Sequence, residues 1–407
     1  GNATVWDRAV KTMHNAEIMK NIFKLLAFLP LLTACDDLFE PALENNRDLE
    51  AMYKEPSYAQ GILANAYIIL PYETSPTSDL ATDDAVTNEI SSNYLRMATG
   101  SWTANNNPVS QWQNRFNAIQ YINLFLENVD KVEWAKDERI STMFLDRLKG
   151  EAYGLRALHM YYLLRAHGGK IADGTLMGVP IILKSEGPDA DFNHARATYS
   201  DCVKQIMEDA DKAIELLPLD YKKFADSEIP EKYKNIGVTN ASDYRRVCGE
   251  EYRGLMSGRI ALAVRAQTAL LAASPAFQSG SGMTWEQAAD YAAEIIEKAN
   301  GGGGCGLDAD GLEWYTLADK DYGTGGSPAE VIWRSSTDDN NTLETANFPP
   351  SLYGNGRVNP TQNLVDAFPM ANGYPISETS GNYDAENPYD NRDPRLAKYI
   401  VYNGSKQ

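Results

Sequence analysis

Apolar residues recur at helical spacing in six segments: Ser57–Leu70, Trp112–Val129, Glu138–Ala166, Tyr199–Leu217, Ser257–Ala273 and Trp285–Ala299. In the second of these, Phe116, Ile119, Ile122 and Phe125/Leu126 fall on one face, the spacing of an amphipathic helix. Between the first two lies a long polar stretch, Pro71 to Ser110, containing TSPTSD, TDDAVTNE and TANNNP. Loops of that length are uncommon in compact chains unless they serve function. From Gly301 onward, GGGGCG, GTGGSP, FPPSLYGNGRVNP and MANGYP predict turns and irregular loops with short strands between them. Val331-Ile332-Trp333 reads as one such strand, with Trp333 in the core.

Aligned with each other, the helices repeat. Ala152, Arg156 and Ala157 in EAYGLRALHMYYLL match Ala261, Arg265 and Ala266 in IALAVRAQTALLA. Tyr199, Val203, Met207 and Ala213 of the following helix match Trp285, Ala289, Ala293 and Ala299. Small residues at regular positions let helices approach closely. Two helix pairs, each with an aromatic-led second helix, resemble tetratricopeptide units that bury their faces by stacking on neighbours. The expected fold is therefore mostly α: such pairs form a right-handed superhelical scaffold, carrying long irregular insertions and a few short strands.

The N-terminus carries a different pattern. Met19 to Cys35 reads MKNIFKLLAFLPLLTAC, with Lys20 and Lys24 ahead of an eight-residue apolar run, Leu25–Leu32. Eight helical residues rise only about 12 Å, well short of a bilayer core. The segment reads as a signal peptide. Leu32-Thr33-Ala34-Cys35 resembles the bacterial lipobox, in which the cysteine is acylated and the peptide is cut before it; Asp36 and Asp37 resemble a surface-export signal. Residues 1–18 are expected to be upstream of the natural start, 19–34 the signal peptide, 35–55 the lipidated N-terminus and tether, and 56–407 one binding domain. Two or three acyl chains would anchor the protein stably, with Cys35 as the lipidation site.

The balance of 37 Lys+Arg against 56 Asp+Glu gives a net charge of −19. That excludes a nucleic-acid binder, which needs a basic surplus to displace counterions. Besides Cys35, Cys202, Cys248 and Cys305 are odd in number and widely spaced, so neither a disulfide framework nor a zinc site is indicated. His14, His159, His167 and His194 are not at metal-ligand spacing. No GxSxG, HExxH or GxxxxGK[ST] motif occurs, and Gly301–Gly304 lacks the Lys and Ser/Thr of a phosphate cradle. Asp308-Ala309-Asp310-Gly311 starts like a calcium loop, but Glu313 stands where its glycine belongs. No metal, cofactor or catalytic residue is expected.

A binding surface fits better. There are 23 Tyr and 7 Trp against 11 Phe, so most aromatic rings have a polar edge as well as an apolar face. Tyr94, Arg96, Trp102, Asn105, Asn106 and Asn107 cluster in the polar stretch. A flat ring covers the C–H face of a sugar, while Asn and Arg offer hydrogen bonds to its hydroxyl rim. Trp314, Tyr315, Trp333 and Tyr353 form a second aromatic set, in which Trp333 reads as core and Trp314 and Tyr315 are the better candidates for exposure.

Taken together, the chain resembles the SusD/RagB family of Bacteroidota lipoproteins. The resemblance rests on the lipobox, Trp112 ahead of Tyr121–Glu127, GEAYGLRALHMYYLLRAHGG followed by Gly178–Leu183, GRIALAVRAQTALLAASPAF, VIWR, NLVDAFPMANGYPI and Asn391–Leu396, in that order. It implies a tetratricopeptide-based fold, no catalysis, and a surface position in the outer membrane. There such proteins capture nutrients, often oligosaccharides, for a SusC-like TonB-dependent transporter. The Trp and Asn three residues apart that line the ligand site in the starch-binding type match Trp102 and Asn105. Some members take peptides or glycoproteins, and a surface glycoside hydrolase is the alternative from another class. Family members continue past the RDPRL motif with another helix pair, so this sequence is expected to be a C-terminal truncation.

Overall fold

The computed structural model describes residues 54–71, 77–299, 306–309, 311, 330–335 and 340–405. The chain divides into a small unit, residues 1–59 with 131–133, and a large one, residues 60–130 with 134–407. The elements below belong to the large unit, which α1 enters from residue 60. The N-terminal signal, Cys35, Cys305, Asp310, Trp314 and Tyr315 lie outside the described residues.

The helices form where apolar spacing and caps coincide. α1 (Pro56–Ile68) buries Leu63 and Ala66. α3 (Trp112–Asn128) buries Ala118, Ile119, Ile122 and Phe125 against α4 (Glu138–His167). α4 spans 30 residues, opened by Asp137, whose carboxylate accepts the Arg139 N–H, and closed with the charge of Arg165 in its last turn. α5 (Tyr199–Leu216) starts at Thr198, whose hydroxyl accepts the Asp201 N–H. α7 (Gly258–Ala273) and α8 (Trp285–Ala299) complete a second pair. α4 packs on α5, α5 on α7, and α7 on α8, the stacking that the repeat predicts. Within α4, Gly150 is required by proximity: a Cβ there would lie 2.6 Å from the Leu217 side chain.

The repeat extends to its charges. Buried Arg156 of α4 donates from Nε and Nη2 to the Asp209 carboxylate of α5 at 2.7 and 2.8 Å, and from Nη1 to Asn123 Oδ1 of α3 at 3.0 Å. Its counterpart Arg265 of α7 pairs with Glu294 of α8, and with Asp211 of α5 at 2.5 Å. Each arginine thus ties the first helix of its pair to an acid on the second. Asn123 also donates to Ile182 O and Lys184 O. Gln120 exchanges two hydrogen bonds with the Glu186 backbone, and the Glu127 carboxylate accepts the Ser185 N–H and hydroxyl. One polar face of α3 therefore holds the extended segment 182–186 by its main chain.

The insertion between α5 and α7 is built on α4. Phe224, Ile229, Tyr233, Val238 and the α6 (Ala241–Cys248) residues Tyr244, Val247 and Cys248 cover Ile140 and Met143. Cys202 and Cys248 are free thiols, both buried. Burial pushes the Cys248 thiol up to about 12, which fits a packing role.

Three sequence expectations change. The Pro71–Ser110 stretch is not continuous loop: it holds a 3-10 turn (Ser78–Ala81), β1 (Ala85–Thr87) and α2 (Asn93–Ala98). β1 pairs antiparallel with β4 (Val358–Pro360), register Ala85↔Pro360 and Thr87↔Val358, while β2 (Gly169–Lys170) and β3 (Leu176–Met177) form a second ribbon. Trp333 is neither in a strand nor in the core. It is half-buried, and its indole N–H donates to Gly254 O at 2.8 Å. The Gly- and Pro-rich region also carries short helices, α9 (Thr342–Asn347), α10 (Gln362–Ala367) and α11 (Pro394–Tyr399). Near its end, buried Arg392 donates to the carbonyls of Pro388, Val365 and Phe368 and so ties the 388–392 turn to the end of α10 through one guanidinium.

Candidate functional site

The Trp102 region is assembled from local rules. The Ser92 hydroxyl accepts the Leu95 N–H and starts α2. The helix ends in a Schellman arrangement: the Gly100 N–H bonds Met97 O at 3.1 Å and the Ser101 N–H bonds Arg96 O at 2.8 Å. Gly100 has φ +69°, which a side chain would resist. Trp102 follows at once, 45% exposed. Thr103 and Asn106 then pair across a two-residue turn, with Ala104 and Asn105 exposed at its tip. A locked helix end and a locked turn therefore present Trp102 and Asn105 together.

The other polar residues of the cluster divide. Arg96 is exposed and makes no side-chain hydrogen bond or ion pair among the described residues; Tyr94 is half-buried. Asn107 spends its Oδ1 on the Val109 N–H, so its amide shapes the loop exit. That exit is pinned to α4. The Gln111 N–H donates to His167 Nε2 at 3.0 Å, and the Trp112 ring meets His167 and Phe116 edge-on. Burial, then the Arg196 charge, lowers the His167 pKa, which keeps Nε2 free to accept.

Tyr353 stands on a second rigid loop. Asn355 N–H bonds Thr345 O, Gly356 N–H bonds Phe348 O, and Arg357 N–H bonds Ala346 O, each at 2.9 Å. Tyr353 itself sits at φ +64°, rare for an aromatic residue, and is 97% exposed. The β1–β4 pairing brings this loop beside the start of the first one. Asn88 Nδ2 donates to Asn355 O at 3.0 Å, and Arg357 Nη1 donates to Asn88 Oδ1 at 3.1 Å. Ile90, 90% exposed, follows directly. Sequence reading missed Asn88, Ile90 and Arg357, because a three-residue strand paired across the chain leaves no local signal. Gly100 had one, a glycine just past a helical segment.

His159 and His167 serve packing and local hydrogen bonding, and His194 pairs with Glu186 near the surface. Buried His159 bridges Arg115 Nη1 at 3.1 Å and Ala66 O at 3.0 Å. Among the described residues no group of three His, Cys, Asp or Glu is placed to hold a metal. Asp308 is buried, and its N–H faces the Glu330 carboxylate at 3.4 Å. No helix among the described residues is long and apolar enough to cross a membrane.

Comparison with known proteins gives a concordant picture. Residues 43–232 match a family model described as starch-binding associating with outer membrane, and residues 329–407 match one described as SusD family. No curated protein matches. Among solved structures, a SusD-like carbohydrate-binding protein from Bacteroides fragilis is 19% identical at TM-score 0.56, covering 87% of this chain and 61% of its own. A second SusD-like protein from B. fragilis is 19% identical at TM-score 0.60, covering 85% and 60%. A SusD superfamily protein from Bacteroides vulgatus is 17% identical at TM-score 0.53, covering 85% and 61%. At these identities the structures share the fold. The chain spans about 60% of their length.

Proposed function

Because the chain belongs to the SusD family, we propose that it is a non-catalytic surface lipoprotein that binds an oligosaccharide and delivers it to a SusC-like TonB-dependent transporter. The observation that carries this reading is Trp102, half-exposed on a loop locked at both ends, with the Asn105 amide three residues on. An indole face covers the C–H face of a pyranose, and the amide both donates to and accepts from its hydroxyls. The lock means that little loop entropy is lost on binding. Tyr94 and Arg96 lie on α2, the helix whose end leads into this platform. Tyr353 supplies a second ring; Trp314 and Tyr315 are further candidates from the sequence.

The fold resemblance to a SusD-like carbohydrate-binding protein supports the ligand class. The family model's outer-membrane description supports the location, and the Leu32–Cys35 lipobox supplies the anchor. Incubation of the full chain with an oligosaccharide panel, followed by chromatography, tests the reading. Retention of intact sugar is the expected result. Shortened products would make the protein a glycoside hydrolase, and retention of peptides alone would move the ligand to another nutrient class.

A further inference from the structure

The chain has 56 acidic residues, yet none lies between Glu89 and Glu127, and none between Glu344 and Asp366. Those two acid-free segments carry Trp102 and Tyr353, and the β1–β4 pair with the Asn88 bridge ties the chain just before the first to the second; the acids at that junction, Asp83, Asp84 and Glu89, precede the first segment. Each holds an arginine near its exposed ring. Arg96 is exposed, pairs with no acid among the described residues, and lends its carbonyl to the turn that sets Trp102. Arg357 uses one nitrogen on Asn88 and likewise forms no ion pair among the described residues.

We infer that the Trp102 site takes a saccharide bearing an anionic group, a carboxylate or a sulfate, with Arg96 as the residue that selects it. A molecule of net charge −19 repels anions at long range. What favours an acidic sugar here is the combination: an exposed guanidinium, unpaired among the described residues, in the same acid-free stretch as the exposed Trp102 ring. The planar guanidinium fork matches a carboxylate bidentately and offers the same donors to the oxygens of a sulfate, a geometry that a lysine ammonium does not reproduce.

This inference rests on the capture reading and separates from it by experiment. Binding of the full chain would be measured at low and high salt to an oligogalacturonate, to its carboxyl-reduced neutral counterpart, and to a sulfated oligosaccharide. The expected result is that one anionic probe binds at least tenfold more tightly than the neutral one, and that its affinity falls as salt rises. Arg96→Gln, which keeps the backbone carbonyl and removes only an exposed charge, should lose that tenfold preference, and Arg96→Lys should restore part of it. Whichever probe wins distinguishes carboxylate from sulfate. Equal or tighter binding of the neutral probe, lost in Trp102→Ala, would overturn the anion assignment and leave the capture reading intact. Binding of no saccharide at all would overturn both.

Discussion

Trp102 is placed by Gly100, two residues earlier, whose φ of +69° completes the helix stop. A Cβ at Gly100 meets nothing within 4 Å, so Gly100→Ala would act through backbone strain alone. It should cost about 1 kcal/mol of stability and weaken sugar binding, because the turn that aims the indole relaxes; unchanged affinity would show that the turn does not position the ring. His159 makes a different prediction. Burial first, then the Arg115 charge, lowers its pKa from 6.5 to about 3. The unfolded chain therefore binds a proton through that window which the folded chain refuses. Stability present above pH 6.5 is lost as the pH falls through it, about 2 kcal/mol by pH 5. Denaturant melts at pH 7 and pH 5 should show the loss, and His159→Gln should flatten it by about one proton. Glu151, raised by burial, acts in the opposite sense as pH climbs above its usual range. The Trp102–Asn105 spacing was legible in the sequence because it is local. The neutral state of His159 was not, since its partners come from α1 and α3.

Among the elements, the helices and their pairing were read from periodicity, and the match of Arg156 with Arg265 already marked the residues that tie each pair together. What periodicity could not give was the partner of each charge. Asp209 is fully buried beneath Arg156, so Asp209→Ala leaves an uncompensated guanidinium between α3, α4 and α5. The expected loss is about 3–5 kcal/mol, seen as a lower denaturant midpoint. Asp130, exposed and paired with Lys149 on the surface, should lose less than about 1 kcal/mol when replaced by Ala. Similar costs for the two would contradict the distinction. The β1–β4 ribbon was invisible for a physical reason: three residues carry no measurable alternation, and their partner lies far along the chain.

At the level of the whole molecule, stacked tetratricopeptide-like pairs supply a framework, and the proposed capture site lies on the loops it holds. The family identity and the mostly helical fold were both expected from the motif order. The proposed anchor at Cys35 makes its own prediction: Cys35→Ala should release the protein from the membrane fraction or leave it unprocessed, and normal anchoring would refute lipidation there. Capture by an exposed aromatic platform is the central claim. Isothermal titration of the full chain and of Trp102→Ala with an oligosaccharide panel tests it most directly. The account predicts binding without shortened products, weakened tenfold or more in the variant while its melting transition stays unchanged. Equal affinity in the two proteins would place the ligand elsewhere and contradict the site.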